Sequence, residues 1–286
     1  MLIVKAFLIM KNSTKIILYD DTCPLCGAYT KVFVKTRLIM KENRRAFSTI
    51  DQNMLAHIDI KRAVNEIPVI DIQTKEVWYG IDALLEVLHP KIPFIKPVAN
   101  IKPVKWALLK LYKFISFNRK VIVAPKVIQC NFDCTPDFNF RYRVLFLLAF
   151  LAFNTLMLFP IYNNIITNSI IKHTSIAQLQ AAHFCLIAIN IAIASRLNKK
   201  DGVEYLGQAN MLALITILLA IPLLFVNKYT PYNNSITNNI YLTAVTIFII
   251  KEYIRRMSVA GIFKNYAWVV YINIISIIGF FIYLIN

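Results

Sequence analysis

Acidic residues are scarce: 15 Asp and Glu stand against 32 Lys and Arg, a formal net charge of +17. Between positions 91 and 126 there are nine Lys and Arg and no Asp or Glu. Such an excess usually points to nucleic acid. Here the basic residues lie beside long apolar runs, so membrane-flanking Lys and Arg account for the charge with no nucleic-acid partner. Cysteine is also sparse: five in 286 residues, an odd number that argues against a disulfide framework. No signal peptide is evident. Residues 1–10 are apolar apart from Lys5, but they are short, lack a small-residue cleavage site and run into Lys11-Asn12. A strand extension and a start at Met10 both fit that stretch. Ionisable groups are few inside the apolar runs, which gives solute transport little to work with.

What the chain has in excess is apolar surface. Hydrophobic residues make up 58%, against about 45–50% in soluble domains, and mean hydropathy is +0.56. The excess lies mostly after Arg143. Two parts are therefore expected: a mixed α/β N-terminal domain and an all-α membrane domain.

The first part is organised around Ile16-Ile17-Leu18-Tyr19-Asp20-Asp21-Thr22-Cys23-Pro24-Leu25-Cys26. An apolar run ends in a turn that carries two cysteines separated by two residues, and a helix-compatible segment follows from about Ala28. That order puts Cys23 at a strand-to-helix junction, where the positive end of the helix lowers a thiol pKa. The thiolate is the attacking species in thiol–disulfide exchange, and Cys26 stands one turn on to resolve the mixed disulfide. Half a zinc site, or two unrelated thiols, would leave the same spacing.

Residues 15–19 read as a buried strand, 28–41 as a helix with Tyr29, Val32, Phe33 and Met40 on one face, and 45–50 as a short strand. Asp51 suits the N-cap of a helix carrying Met54, Leu55 and Ile58. Residues 68–72 and 77–79 read as a hairpin, and Asp82 as the cap of a last helix. The order β-α-β-α-β-β-α is that of thioredoxin. At this point the domain resembles the DCC family of thiol-disulfide oxidoreductases, named for an Asp-x-x-Cys-x-x-Cys motif that Asp20-Asp21-Thr22-Cys23-Pro24-Leu25-Cys26 carries. Glutaredoxins are a more distant likeness: Ile67-Pro68-Val69 resembles their cis-proline loop, and Tyr79-Gly80-Ile81-Asp82 their Gly-x-Asp turn. The likeness implies a thioredoxin-like fold and dithiol exchange at Cys23 and Cys26. A cis peptide at Pro68 would present the Ile67 backbone to an incoming chain as an extra strand; a trans proline opening an edge strand is the alternative. Asp20 could hold a proton for Cys26, or simply cap the turn.

Pro93, Pro97 and Pro103 punctuate the next stretch, and Pro103 suits the start of a helix over 103–117, where Trp106, Leu109, Phe114 and Phe117 alternate with lysines. Such a helix fits an anionic membrane surface, a final helix packed on the sheet, or both through different faces. Cys130 and Cys134 follow. They read as a relay dithiol for Cys23/Cys26, as the other half of a four-cysteine zinc site, or as structural thiols.

Apolar runs near 144–162, 176–195, 205–226, 236–254 and 266–285 are each long enough for a core of about 30 Å, so about five spans are expected. The fourth is cut short by Lys251 and Glu252. Arg196, Lys199 and Lys200 follow the second run, and Lys251, Arg255, Arg256 and Lys264 the fourth. This places the N-terminal domain on the cytoplasmic side of the cell (inner) membrane. Gln178, Gln180, His183, Cys185 and Asn190 in the second run suit interhelical hydrogen bonds, or a quinone or proton site.

The chain thus reads as a thioredoxin-like domain (14–97), a basic juxtamembrane connector (98–142) and a transmembrane helical domain (143–286). Its expected activity is thiol–disulfide exchange on a protein or small-molecule disulfide, with the lipid bilayer as its other partner and no cofactor or metal. The alternative is a non-catalytic redox- or zinc-sensing module that regulates the membrane part.

Overall fold

The structure is a computed structural model that describes residues 14–125, 136–169, 171–229 and 235–285. The chain divides into two compact units, Met1–Tyr142 and Arg143–Asn286.

The first unit is built on a four-stranded mixed sheet. Its elements are β1 (Lys15–Tyr19), α1 (Pro24–Lys35), β2 (Arg44–Ala46), α2 (Gln52–Leu55), α3 (Ile60–Ala63), β3 (Pro68–Asp71), β4 (Val77–Tyr79), α4 (Gly80–Leu88), α5 (Ile95–Ala99) and α6 (Lys102–Ile122). The strand order is β2-β1-β3-β4. β1 pairs parallel with β2, in register Leu18 to Arg45, and antiparallel with β3, in register Ile16 to Ile70. β3 pairs antiparallel with β4.

The apolar run Ile16-Ile17-Leu18 is fully buried because both faces of β1 are covered. Ile16 and Leu18 point to a core with Phe47, Ile58, Ala63, Ile70 and Tyr79. Ile17 points the other way, to Ile67, Val69, Ala83, Val87 and the Tyr112 ring. Each such side chain contributes about 1.5–3 kcal/mol on burial.

Several local expectations shift. α1 starts at Pro24, with Cys23 as its N-cap and Cys26 in its first turn, and it ends at Lys35; Arg37 turns the chain away at φ 57°. The second strand is only Arg44–Ala46. Asp51 precedes α2 but makes no side-chain cap. α4 begins at Gly80, and Asp82, inside its first turn, bonds Lys105 Nζ at 2.6 Å instead of capping. The Ile67–Pro68 peptide is trans, as are all peptides among the described residues. Pro68 opens an interior strand, paired with Tyr79, a place where a proline's missing N–H is tolerated.

α6 closes the unit. Tyr112 Oη accepts from Ile67 N–H at 2.9 Å, Ser116 Oγ donates to Asn65 O, and Arg119 donates to Val64 O at 3.0 Å. Gly80 sits under it at φ +61°, where an added Cβ would lie 3.2 Å from the Tyr112 ring and 3.3 Å from Glu66. Gly80→Ala is therefore strained by both backbone and space. We expect a loss of more than about 1 kcal/mol in unfolding free energy, read by thermal unfolding of the full chain, where an unchanged midpoint would contradict the packing described.

The second unit contains α7 (Phe140–Asn164, which begins three residues before the unit does), α8 (Ile176–Ser195), α9 (Lys199–Tyr229), α10 (Ser235–Val259), α11 (Ile262–Asn265) and α12 (Ala267–Ile285). Among the described residues four helices, not the five expected, are long and apolar enough to cross a membrane: Phe140–Asn168, Ile176–Ser195, Lys199–Tyr229 and Ala267–Leu284. α10 falls short because Asn238 and Asn239 sit near its start and Lys251, Glu252, Arg255 and Arg256 near its end. Glu252, Arg255 and Arg256 have internal uses. Glu252 pairs with Arg255 and Arg256, Arg256 donates to Gln208 Oε1 at 2.8 Å, Gln208 donates to Glu204, and Glu204 pairs with Arg143 at 2.9 Å. α10 lies antiparallel along α9: Tyr241 and Leu242 pack near Ala220 and Leu223, while Tyr253 and Met257 pack near Tyr205.

Gln178, His183 and Asn190 of α8 bond to the helix's own backbone and cap or to neighbouring helices. His183 Nε2 lies 3.0 Å from Thr155 Oγ1, Tyr205 Oη donates to Asn190 Oδ1, and Gln178 forms a capping box with Ser175.

Candidate functional site

β1 delivers the chain to a turn whose hydrogen bonds converge on one carboxylate. Asp20 Oδ1 accepts from Thr22 N–H at 2.9 Å, from Thr22 Oγ1 at 2.6 Å and from Cys23 N–H at 3.2 Å. This Asx-type turn hands over directly to α1. Cys23 is the N-cap residue, and its Sγ accepts from the Cys26 N–H at 3.5 Å. Pro24 takes the first helical position, where no N–H is needed. The sulfur thus occupies the place of a capping oxygen, at the positive end of the helix.

The helix is fixed from behind. Thr30 Oγ1 donates to Cys26 O at 2.7 Å and accepts from Arg44 Nε at 2.9 Å. Arg44 also reaches Gly27 O and lies over the Tyr19 ring at 3.7 Å. One guanidinium on β2 therefore ties the cysteine-bearing turn of α1 to the sheet.

A second guanidinium faces the thiols. Arg119, near the end of α6, points an Nη2 at Asp20 Oδ2 at 3.3 Å, and both side chains are buried. It also acts on Cys23 and Cys26 through its charge. Burial alone would disfavour that charge, but Cys26, Cys23 and Asp20 outweigh it and hold Arg119 more firmly protonated. Tyr29 shares a hydrogen bond with Cys26, and burial pushes its hydroxyl well above the ordinary range. Burial likewise pushes Tyr112 up to about 12.

The two thiols are driven apart. The Cys26 thiol donates to Cys23, and this bond, against the opposing effect of burial and with help from the Cys26 N–H and Arg119, brings Cys23 down to about 7. The same bond, with burial, pushes Cys26 up. One sulfur is prepared to be a thiolate near neutral pH while the other keeps its proton. The alkylation rate of Cys23 in the full chain should rise with pH with a midpoint near 7. A midpoint in the ordinary thiol range of about 8.5 would contradict this geometry. Because the folded value is depressed, ionised Cys23 adds stability to the reduced protein as pH rises from about 7 toward 8.5. That increment is lost as pH falls back through 7. The raised Cys26 works the other way once pH exceeds the ordinary thiol range.

Of the residues singled out in the sequence, Cys23, Cys26 and Asp20 are brought together. Pro68 connects less directly. Its neighbour Ile67 has both backbone groups occupied, the N–H by Tyr112 Oη and the C=O by Gly80 N–H. Since β3 is also interior, no incoming strand can pair there. Cys130 and Cys134 lie outside the described residues, so neither a relay nor a four-cysteine site is on view. Among the described residues no group of three or more His, Cys, Asp or Glu stands together as a metal site.

Arg119, Tyr112 and Tyr29 join the site without a motif to mark them. Arg119 had one signal: it is the only arginine among the nine basic residues of 91–126, and arginine is the cation suited to buried ion pairs. Tyr29 stands three residues after Cys26, on the same helix face.

Residues 17–124 match the family described as DCC1-like thiol-disulfide oxidoreductase. The match ends before the first apolar helix. No curated protein matches the chain, and no solved structure does.

Proposed function

We propose that the chain, whose residues 17–124 match the family described as DCC1-like thiol-disulfide oxidoreductase, is a membrane-anchored oxidoreductase whose thioredoxin-like domain exchanges electrons through Cys23 and Cys26. The observation that carries this is the split between the two thiols: Cys23 at the helix N-terminus down to about 7, Cys26 held protonated beside it.

The Cys23 thiolate attacks one sulfur of a substrate disulfide. A bond forms from Cys23 to that sulfur, the substrate S–S bond breaks, and the other sulfur leaves as a thiolate. Cys26 then loses its proton and attacks Cys23, forming the Cys23–Cys26 disulfide and releasing the second substrate thiolate. The substrate gains two electrons and, on protonation, two protons; the dithiol loses both. Arg119 offsets the negative charge that appears first on Cys23 and then on Cys26. Asp20, whose charge acts on Cys26, takes the proton that Cys26 gives up. Cys23 is only 1% exposed, so the side chains over it must part before a substrate sulfur can enter.

The helical unit anchors this domain in the cell (inner) membrane with the dithiol on the cytoplasmic side. In support, the basic α8–α9 and α10–α12 turns lie at one end of that unit: Ile193 and Leu197 pack there with Tyr253, Met257 and Ile262. Lys199, Lys200, Arg255, Arg256 and Lys264 stand in or beside these turns, as the positive-inside rule requires of a single face. α10, antiparallel to α9 with Glu252, Arg255 and Arg256 paired internally, is the fifth crossing.

The test is a redox titration of the full chain in detergent, read by thiol alkylation and mass. A reversible two-electron couple at Cys23/Cys26, between about −270 and −120 mV, supports the proposal. Thiols that never pair at any poise would sink it.

A further inference from the structure

α6 has a second face that the first unit does not use. Its inner face carries Tyr112, Ser116 and Arg119 into the domain. On the outer side Lys102, Trp106, Leu109 and Lys113 follow the i, i+4, i+7, i+11 spacing of one helix stripe, with Lys110 beside it. All five are exposed, Trp106 at 65%. Lysines elsewhere in this region are spoken for: Lys96 pairs with Glu86 and Lys105 with Asp82. Lys102, Lys110 and Lys113 have no acidic partner among the described residues, and the sequence holds no Asp or Glu from 87 to 132.

The end of this helix is tied to the start of a candidate span. Asn118 Nδ2 donates to Tyr142 O at 3.1 Å, and the Phe117 and Tyr142 rings stack at 5.3 Å. Tyr142 lies in the first turn of α7, whose apolar stretch qualifies to cross a membrane. We propose that the Lys102–Trp106–Leu109–Lys113 stripe of α6, with Lys110, lies on the anionic phospholipid headgroups of the leaflet that α7 enters. An indole and a leucine between three unpaired ammonium groups match that layer in both respects. The rings seat at the boundary between headgroup and acyl chain, and the lysine stems lie along it with their charges outward. The inference rests on the spans and is independent of the dithiol.

The experiment uses the full chain in nanodiscs of phosphatidylcholine whose acyl chains are brominated, with or without about 30% phosphatidylglycerol, where each lysine gains surface attraction. Trp106 is read as the difference in fluorescence between the unaltered protein and Trp106→Phe, which removes the signals of Trp78 and Trp268. With phosphatidylglycerol we expect its emission to be quenched about two-fold or more. The quenching should fade in high salt and in the Lys102→Gln/Lys110→Gln/Lys113→Gln variant, and persist in Cys23→Ser. Emission that is unquenched and solvent-like in both lipids would overturn the proposal. So would quenching that ignores both the anionic lipid and the three lysines. Blue-shifted emission without quenching would overturn it too, by assigning the face to another protein surface such as a second copy of the chain.

Discussion

Arg119→Met should cost the first unit about 3–5 kcal/mol, because it leaves the Asp20 carboxylate buried without its cation. The three hydrogen bonds that Asp20 accepts from its own turn favour the lower end of that range. The lost bond from Arg119 to Val64 O adds to the damage. The same change should raise the Cys23 pKa, since Arg119 is among the groups that depress it. With the reduced form less well stabilised, the reduction potential of the dithiol should move to a more negative value. Asp20→Asn acts in the opposite direction on Cys23, because Asp20 raises its pKa. The double variant should therefore recover part of both losses, with a coupling of more than about 1 kcal/mol. Thermal unfolding and equilibration against glutathione measure the two effects. A destabilised protein with an unchanged Cys23 midpoint would make Arg119 a packing residue alone.

The second large effect separates two substitutions at one position. Cys26→Ser and Cys26→Ala both remove the resolving thiol, so both should stop turnover and accumulate a mixed disulfide at Cys23. They should differ in acidity. The bond from Cys26 is the largest influence lowering Cys23; serine keeps a donor there and alanine does not. Cys26→Ala should move the Cys23 midpoint toward about 8.5, while Cys26→Ser should leave it near 7. At pH 7 the thiolate fraction of the alanine variant falls roughly 15-fold, but a less acidic thiolate is a better nucleophile by about five-fold, so the rate drops only about three-fold. The pH midpoint is thus the sharper reading. Equal midpoints in the two variants would remove the thiol–thiol bond from the explanation. Cys23→Ser should reduce disulfide-reducing activity to background, and retained activity there would dismiss the whole scheme.

The parts of this fold that were legible in the sequence share a cause. Ile16-Ile17-Leu18 is an unbroken apolar run because β1 is covered on both faces, and the turn after it announces itself through Asp20, Cys23 and Pro24. Pro24 suits the first turn of α1 by residue type, while the apolar spacing marks the helix only from about Ala28. Asp-Asp-Thr-Cys-Pro looks like a turn throughout, and only the capping geometry shows that the helix begins at Pro24. The trans bond at Pro68 could not be seen in a three-residue pattern, because Tyr112 and Gly80, which occupy the Ile67 backbone, come from later in the chain. Hydropathy gave α10 a doubtful standing for a similar reason. Glu252 meets Arg255 and Arg256 within the helix at a spacing the sequence shows, but Arg256 also reaches Gln208, and through it Glu204 and Arg143, on other helices. Pairings of that kind carry no local signature.

Arg119 and Asp20 are 99 residues apart in the chain, and that separation also sets an order in time. During synthesis, at about 5–20 residues per second, the dithiol is made roughly 5–20 s before the cation that belongs opposite it. For that interval the nascent sheet holds two cysteines without Arg119, and Asp20 stands without its partner. The local Cys26 bond can act on Cys23 as soon as α1 forms, but the share of the lowering that comes from Arg119 arrives late, when α6 docks, and α6 is followed at once by the stretch leading to the first apolar helix. The ribosome adds the last charged group beside the dithiol only as it begins to deliver the first helix apolar enough to cross a membrane.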